Sequence, residues 1–459
     1  MKAIIAAAIL GVVLMLSGLF VQDKKNVVGL GLFCMAALFG VTIWELAITP
    51  HGTFQPMYNN MVVISRDGLW FNMLMTGCTF LYLLLMGKDF TRVGMHVAEY
   101  FALITFILCG GFILTAYNSL LLLFLGIEIL SIPQYILAGS DKRNLKSNEA
   151  SLKYFLMGAF FTGILLMGIA LLYGASGTFY IDQLEFIHAS STSALGIAGV
   201  LILMIAMSFK VSAAPFHFWT PDVYDGSPTA FTPFMATIVK ALAFYAFIRI
   251  FQNSFGSMSN QWLMVLAIIT AATLIIGNIT AVFQQSVKRM LAYSSIAQAG
   301  FMLFAVMSNN DMGLKSIFIY ALAYTIATVG MFAVLIKLKD YTYDGFNGLS
   351  KKQPLLAFSA TIFLLSLAGI PLTGGFMAKY FVLQAAVLQG QLLWLVIIAL
   401  ILAVVGVYYY FKVIIAMYFK TGQAELEYEV TATDKVLLMS AAVLILILGI
   451  VPQLFLNLV

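Results

Sequence analysis

Charge is scarce in this chain. Asp, Glu, Lys and Arg make up only 9% of its 459 residues, against about 25% in an average soluble domain. A soluble fold of this length could not cover its surface with so few charges. That excludes a soluble enzyme, a disordered chain, a nucleic-acid-binding protein and a large extramembrane domain. Cysteine is scarce as well. Cys34, Cys78 and Cys109 lie far apart in apolar runs, a spacing that fits neither a zinc or iron–sulfur site nor a disulfide framework. No Gly-x-Gly-x-x-Gly motif follows a strand, there is no P-loop, and no histidine pair has haem-like spacing within a span. Electron-transfer chemistry and ATP hydrolysis are therefore not expected here, and no metal or cofactor site is expected either.

What the chain has is hydrocarbon. It is 62% hydrophobic, about 285 residues, and a membrane-crossing helix needs about 20. The apolar runs predict about fourteen spans, near 3–20, 27–47, 61–86, 98–116, 118–138, 150–174, 195–219, 229–251, 262–283, 287–307, 314–337, 354–385, 391–418 and 434–456. The runs are continuous rather than alternating, which excludes an outer-membrane barrel. The expected fold is an all-α polytopic membrane protein. Met1-Lys2 and the apolar run after it resemble a signal peptide, but no small-residue cleavage site precedes Asp23-Lys24-Lys25. We read the run as a retained first helix.

Lys and Arg set the orientation. Loops after odd-numbered spans carry Lys24, Lys25, Lys88, Arg92, Lys142, Arg143, Lys146, Lys288, Arg289, Lys337, Lys339, Lys351, Lys352, Lys420 and Lys435, with Lys153 just inside the sixth span. The opposite side has Lys2, Arg66, Arg249 and Lys315. By the positive-inside rule the first face is cytoplasmic, and an even span count puts both termini in the periplasm.

Five charges fall inside spans: Glu128, Lys210, Lys240, Lys379 and Lys412. Charge at bilayer depth costs about 2.5–3.5 kcal/mol on insertion scales, so each is a functional candidate. Lys412 is close enough to a span end to snorkel, and Glu45 is expected to reach water at the outer end of the second span. Lys153 is expected to pair with Glu149 one turn away. Glu128 and Lys240 sit mid-span and cannot snorkel. A buried Glu and a buried Lys can satisfy one another, and their protonation then depends on their separation, the physical basis of a proton relay.

Two spans are broken. Pro215 interrupts the seventh, just after Lys210, and Pro371 with Gly374-Gly375 interrupts the twelfth, before Lys379. Broken helices at corresponding positions of two halves point to inverted repeats. Breaks and charges alone suggest helices 1–3 over 1–97, a first repeat of helices 4–8 over 98–251, a second of helices 9–13 over 262–418, and a cytoplasmic loop with helix 14 over 419–459. His217 follows the first break, and an unperturbed imidazole titrates near neutrality, which suits proton transfer; His51, His96 and His188 fall in or near loops. Tyr324, Ser294, Ser295 and Gln298 could hold waters.

The stretches LFLGIEILSIPQYILAG, ASLKYFLMGA, FKVSAAPFHFWTPDVYDGSPT, KRMLAYSSIAQAGFML and LSLAGIPLTGGFMAKYFVL together resemble the antiporter-like proton-channel family, in its N-type subunits of bacterial NADH–quinone oxidoreductase (respiratory complex I, NDH-1). The likeness covers about residues 60–420, and PFHFWTPDVYDGSPT is its most specific part. The resemblance implies that Glu128 and Lys210 form the charge pair of a first half-channel. Lys240 would link the halves, Lys379 would exchange protons with the outer side, and His217 would lie on a hydrated path. Lys153, Tyr324 and Gln298 are further candidates. Many relatives have a histidine where this chain has Gln298, and an amide cannot take up a proton at ordinary pH. The resemblance also implies partners: neighbouring antiporter-like and small membrane subunits, with NADH, FMN, iron–sulfur clusters and quinone held in other subunits. The buried charges also fit two other readings, a sodium/proton antiporter subunit and an inactive helical scaffold. The PDVYDGSP block argues against the first and the cost of the buried charges against the second.

Overall fold

The computed structural model describes all residues except 22, 51–54, 185–193 and 457–459. His51 and His188 lie outside the described residues. Among the described residues twelve helices are long and apolar enough to cross a membrane, and two shorter apolar helices, Ala194–Lys210 and Pro354–Ala368, begin the broken spans. In chain order the spans are α1 (Lys2–Phe20), α2 (Lys24–Ile48), α3 (Arg66–Met86), α4 (Val97–Ala116), α5 (Leu120–Ala138), α6 (Leu145–Ser176), α7a (Ala194–Lys210) with α7b (Trp219–Gly226), α8 (Ile238–Asn253), α9 (Ser259–Val282), α10 (Val287–Met307), α11 (Asp311–Leu335), α12a (Pro354–Ala368) with α12b (Gly374–Gln389), α13 (Leu393–Phe419) and α14 (Ala432–Ile450). The fourteen expected crossings are all present, and the protein is a multi-pass helical membrane protein.

Polar caps set the helix starts where hydropathy could not. Ser65 accepts from the Gly68 amide and starts α3 later than its apolar run suggests. The residues just before pair instead as a short hairpin, Gln55–Met57 against Val62–Ile64, which the apolar pattern did not announce. Thr431 and Asp434 form a reciprocal capping box that starts α14. Glu45 differs from expectation. It is buried rather than hydrated, and its carboxylate accepts the Lys2 and Ala3 amides at 2.9 and 2.8 Å. It caps the positive end of α1, which satisfies the charge without water.

The same close contact recurs in both expected five-helix sets. A Cβ on Gly110 of α4 would stand 2.8 Å from the Leu130 amide nitrogen of α5, and one on Gly277 of α9 would stand 2.6 Å from the Ala297 amide nitrogen of α10. Small residues let the helix backbones touch, which is how helices associate in a membrane with no hydrophobic drive between them. The interior is formed by α8, α10 and α11, whose membrane stretches are each 94% buried. The candidate charges sit around this core.

Candidate functional site

The break in the twelfth span makes a cation site. α12a ends at Ala368, and Gly369 follows in the left-handed region at φ 83°. A helix end leaves its last carbonyls without partners and carries partial negative charge. Lys379, on α12b, folds back and donates to the Leu367 and Ala368 carbonyls at 3.0 and 2.8 Å. Its amine also lies 4.9 Å from the Phe301 ring. A Cβ on Gly369 would stand 2.9 Å from Lys379 Cδ, so the glycine leaves room for the lysine as well as making the turn.

Lys240 of α8 is 2% exposed. Its amine donates to Ser295 of α10, to the hydroxyl at 2.6 Å and the carbonyl at 3.0 Å. Lys210, the last residue of α7a, donates to the Ser131 hydroxyl of α5 at 2.8 Å. Glu128, one turn before Ser131, accepts from Thr162 of α6 at 2.6 Å. The sequence pointed to a buried Glu128–Lys210 pair. Among the described residues no ion pair joins them, and Glu128 is only half-buried. Hydroxyls on neighbouring turns satisfy each group instead. The two lysines of the broken spans also differ. Lys210 precedes its break and Lys379 follows its own.

Between Lys240 and Lys379 runs a polar seam. Gln298 of α10 donates to the Leu367 carbonyl at 2.9 Å and to the Tyr410 hydroxyl at 3.3 Å. Its amide oxygen accepts from Tyr320. Tyr410 of α13 also shares a short hydrogen bond with Ser294. Tyr324 is buried, and its hydroxyl has no hydrogen-bond partner among the described residues; the same holds for His217 Nδ1, Ser208, Ser212 and Thr220 near the first break. Buried polar groups are almost always hydrogen-bonded to protein or to ordered water, so these positions are suited to bound water. Nothing in the sequence marks Tyr320, Tyr410, Ser131 and Thr162. A hydroxyl in an apolar span reads as ordinary packing, and no local pattern marks it.

Lys153 lies apart from this line. It is 44% exposed at the basic end of α6, where it pairs with Glu149 at 2.7 Å and Asp222 at 2.9 Å. Asp222 of α7b also takes Arg289 of α10 at 2.9 Å, so it ties the two sets together. Lys288 is buried and donates to the Asp225 and Ser227 carbonyls at 2.8 and 2.7 Å, closing the end of α7b. Together with Asp225, Lys146 and Tyr341 it lines a cavity of about 600 Å³ on the basic face. Lys337 is buried too. Read from the sequence as a loop lysine, it is 3.7 Å from Asp89 and 3.6 Å from Asp434. Lys412 reaches toward the basic side, its amine 4.0 Å from the Tyr343 ring.

Lys210, Lys240 and Lys379 make no ion pair among the described residues, so neutral oxygens alone hold each amine. Such an arrangement can hold and pass protons. No group of three or more His, Cys, Asp or Glu among the described residues could hold a metal.

Residues 117–406 match the family described as NADH:quinone oxidoreductase/Mrp antiporter, TM. The chain is 38% identical to NADH-quinone oxidoreductase subunit N of Cytophaga hutchinsonii, over 100% of this chain and 99% of the relative. It is 37% identical to the subunit of the same name from Trichlorobacter lovleyi, over 98% and 93%. Among solved structures it superposes on a chain of respiratory complex I from Thermus thermophilus with a TM-score of 0.84 at 30% identity, over 99% and 98% of the two chains. A chain of the Mrp complex from Dietzia shares the fold, with a TM-score of 0.81 at 21% identity, over 100% and 96%. The chain belongs to the NADH:quinone oxidoreductase/Mrp antiporter family of membrane subunits.

Proposed function

We propose that this chain is the N-type proton-translocating subunit in the membrane arm of a bacterial NADH–quinone oxidoreductase. Electron transfer from NADH to quinone takes place in partner subunits, which hold NADH, FMN, iron–sulfur clusters and quinone. This chain carries the protons. The observation that carries the reading is three buried lysines, Lys210, Lys240 and Lys379, that make no ion pair among the described residues. A buried amine held only by neutral oxygens takes or gives up its proton according to the field of its neighbours. Charge in a span is costly and is retained where it works.

In the relay, Glu128 and Lys210 receive the change of field from the neighbouring subunit. Their hydroxyl partners Thr162 and Ser131 let Lys210 move toward or away from Glu128 by a change of rotamer. Lys240 passes protons between the halves, with His217 on a hydrated path beside it. Lys379 exchanges with the outer side. Lys153, Tyr324 and Gln298 support the path, and waters at the unpartnered hydroxyls complete it. The excess of basic residues on one face supports a cytoplasmic orientation for that face and periplasmic termini, in a bacterial inner membrane. The two repeats over 98–251 and 262–418 would each supply one half-channel, flanked by 1–97 and 419–459.

The test uses membrane vesicles with the assembled complex carrying Lys240→Ala or Lys379→Ala. NADH–quinone turnover and the NADH-driven pH gradient are recorded once assembly is confirmed. The relay predicts loss of the gradient or of coupled turnover. Normal values of both would make the lysines structural. Failure of any NADH-oxidising partner to co-purify would favour an antiporter complex instead.

A further inference from the structure

A groove of about 660 Å³ opens on the basic face where the ends of α1, α4 and α5 meet the loops around Arg92 and Lys142. Its rim is charged and its floor is not. Four fixed cations, Lys24, Arg92, Lys142 and Arg143, face two carboxylates, Glu99 and Asp141. Several of these charges are committed: Arg92 pairs with Asp89 at 2.5 Å, and Glu99 takes His96 at 3.2 Å. Lys24 donates to the Thr91 and Gly94 carbonyls, both at 3.1 Å, and an ammonium has a third N–H to give. Lys142 and Arg143 are exposed and make no ion pair among the described residues.

The floor is Met15, Leu103 and Ile136. Leu103 lies six residues into α4, which begins at Val97, so it sits about 9 Å below the helix end. Met15 and Ile136 are 49% and 52% exposed on helices that cross the membrane, so this floor is open to hydrocarbon. A water-soluble anion would use the rim and leave the floor bare. An amphiphile with an anionic head uses both. The first turn of α4 has no side-chain cap, and its acidic residue, Glu99, lies 3.2 Å from His96, so the helix end itself adds little net charge beneath the head.

We infer that this groove is a site for an anionic phospholipid, the phosphodiester held by Lys142 and Arg143 with Lys24 and an acyl chain laid over Met15, Leu103 and Ile136. Basic pockets between membrane helices bind anionic headgroups by this combination of charge and apolar contact. The inference is independent of the proton relay.

The test uses native membranes containing the full chain, fused with vesicles of photoactivatable phosphatidylglycerol or, separately, photoactivatable phosphatidylcholine. Phosphatidylglycerol is expected to label peptides covering 95–103 and 136–143, and phosphatidylcholine to label them far less. The double variant Lys142→Gln/Arg143→Gln should lower that labelling roughly thirty-fold, as expected for two basic residues lost at headgroup level. Equal labelling by both lipids, or unchanged labelling in the variant, would overturn the site. Suppression by millimolar inorganic phosphate would show a free-anion site and also overturn it. Absence of labelling wherever the complex is assembled would mean an acidic partner segment fills the groove, with the same consequence. Comparison of the two lipids needs no variant, so a variant that misfolds leaves the inference testable.

Discussion

Gln298 and Lys379 donate to one acceptor, the Leu367 carbonyl at the open end of α12a, at 2.9 and 3.0 Å. The amide thereby fixes the terminus on which the lysine sits. It also connects that terminus to Tyr410, Ser294 and Tyr320. An amide can orient its neighbours but cannot take up a proton at ordinary pH, so the groups here that can exchange one are the surrounding hydroxyls.

Replacing Gln298 by Leu leaves the Tyr320 hydroxyl and one Leu367 lone pair unsatisfied in a buried site. Unmade buried hydrogen bonds cost about 1–3 kcal/mol each. The expected result is a lower apparent melting temperature of the extracted complex and a reduced NADH-driven pH gradient. Tyr410→Phe, which strands Ser294 and one Gln298 N–H, should reduce the gradient with a stability loss of the same order. A full gradient in both variants would remove the seam from the proton path.

Gly369→Ala tests the seat of Lys379. The left-handed backbone alone costs a residue with a Cβ about 1–2 kcal/mol, and the methyl would meet the lysine side chain at 2.9 Å. Displacing the amine from its two carbonyls should abolish most of the gradient in vesicles where assembly is unchanged on native gels. Gly390, also in the left-handed region, has open space around it. Gly390→Ala is the control for backbone strain without the clash.

Glu128→Gln separates charge from hydrogen bonding in the first half. The amide still accepts from Thr162, so stability should change by less than about 1 kcal/mol. The gradient should fall sharply if the carboxylate's charge drives Lys210. Thr162→Val, which removes the hydrogen bond and leaves the charge, should cost more stability and less pumping.

Lys337 gives a pH dependence. Burial holds its ammonium below the usual lysine range, against the pull of Asp89 and Asp434. Its folded value is therefore depressed, and the unfolded chain binds the extra proton over the interval between the two values. Stability should rise with pH through that interval, which ends at the usual lysine value near 10.4. In Lys337→Met this alkaline gain should vanish. At neutral pH the variant should change stability by no more than about 1 kcal/mol, because Asp89 keeps Arg92, Asp434 keeps Lys88, and the cost of burying the ammonium is removed with it. Melting curves of the complex from neutral to alkaline pH read both effects.

Asp222→Asn should have a modest effect on stability, within about 1 kcal/mol, because Lys153 and Arg289 are partly exposed and their pairs are screened. Its larger effect should be on coupling, since Asp222 is the link between α6, α7b and α10. Initial rates of gradient formation, compared with turnover, distinguish the two.

Hydropathy was enough for the architecture. A hydrocarbon slab about 30 Å thick demands continuous apolar runs whose backbone satisfies itself, so fourteen spans and two breaks follow from composition along the chain. Lys210, Lys240 and Lys379 were legible for the same reason, since a lysine in an apolar run is conspicuous. Partners were not. Whether Glu128 meets Lys210 or Thr162 depends on how α5, α6 and α7a are turned about their axes, and packing between helices sets that rotation. Lys337 and Glu45 read as solvated because they stand beside loops, yet neighbours distant in sequence bury them. Membrane insertion is decided residue by residue against lipid, so it can be read along one chain. Hydrogen bonding inside the bundle is decided between chain segments, where lipid gives no guidance and only the tertiary packing chooses.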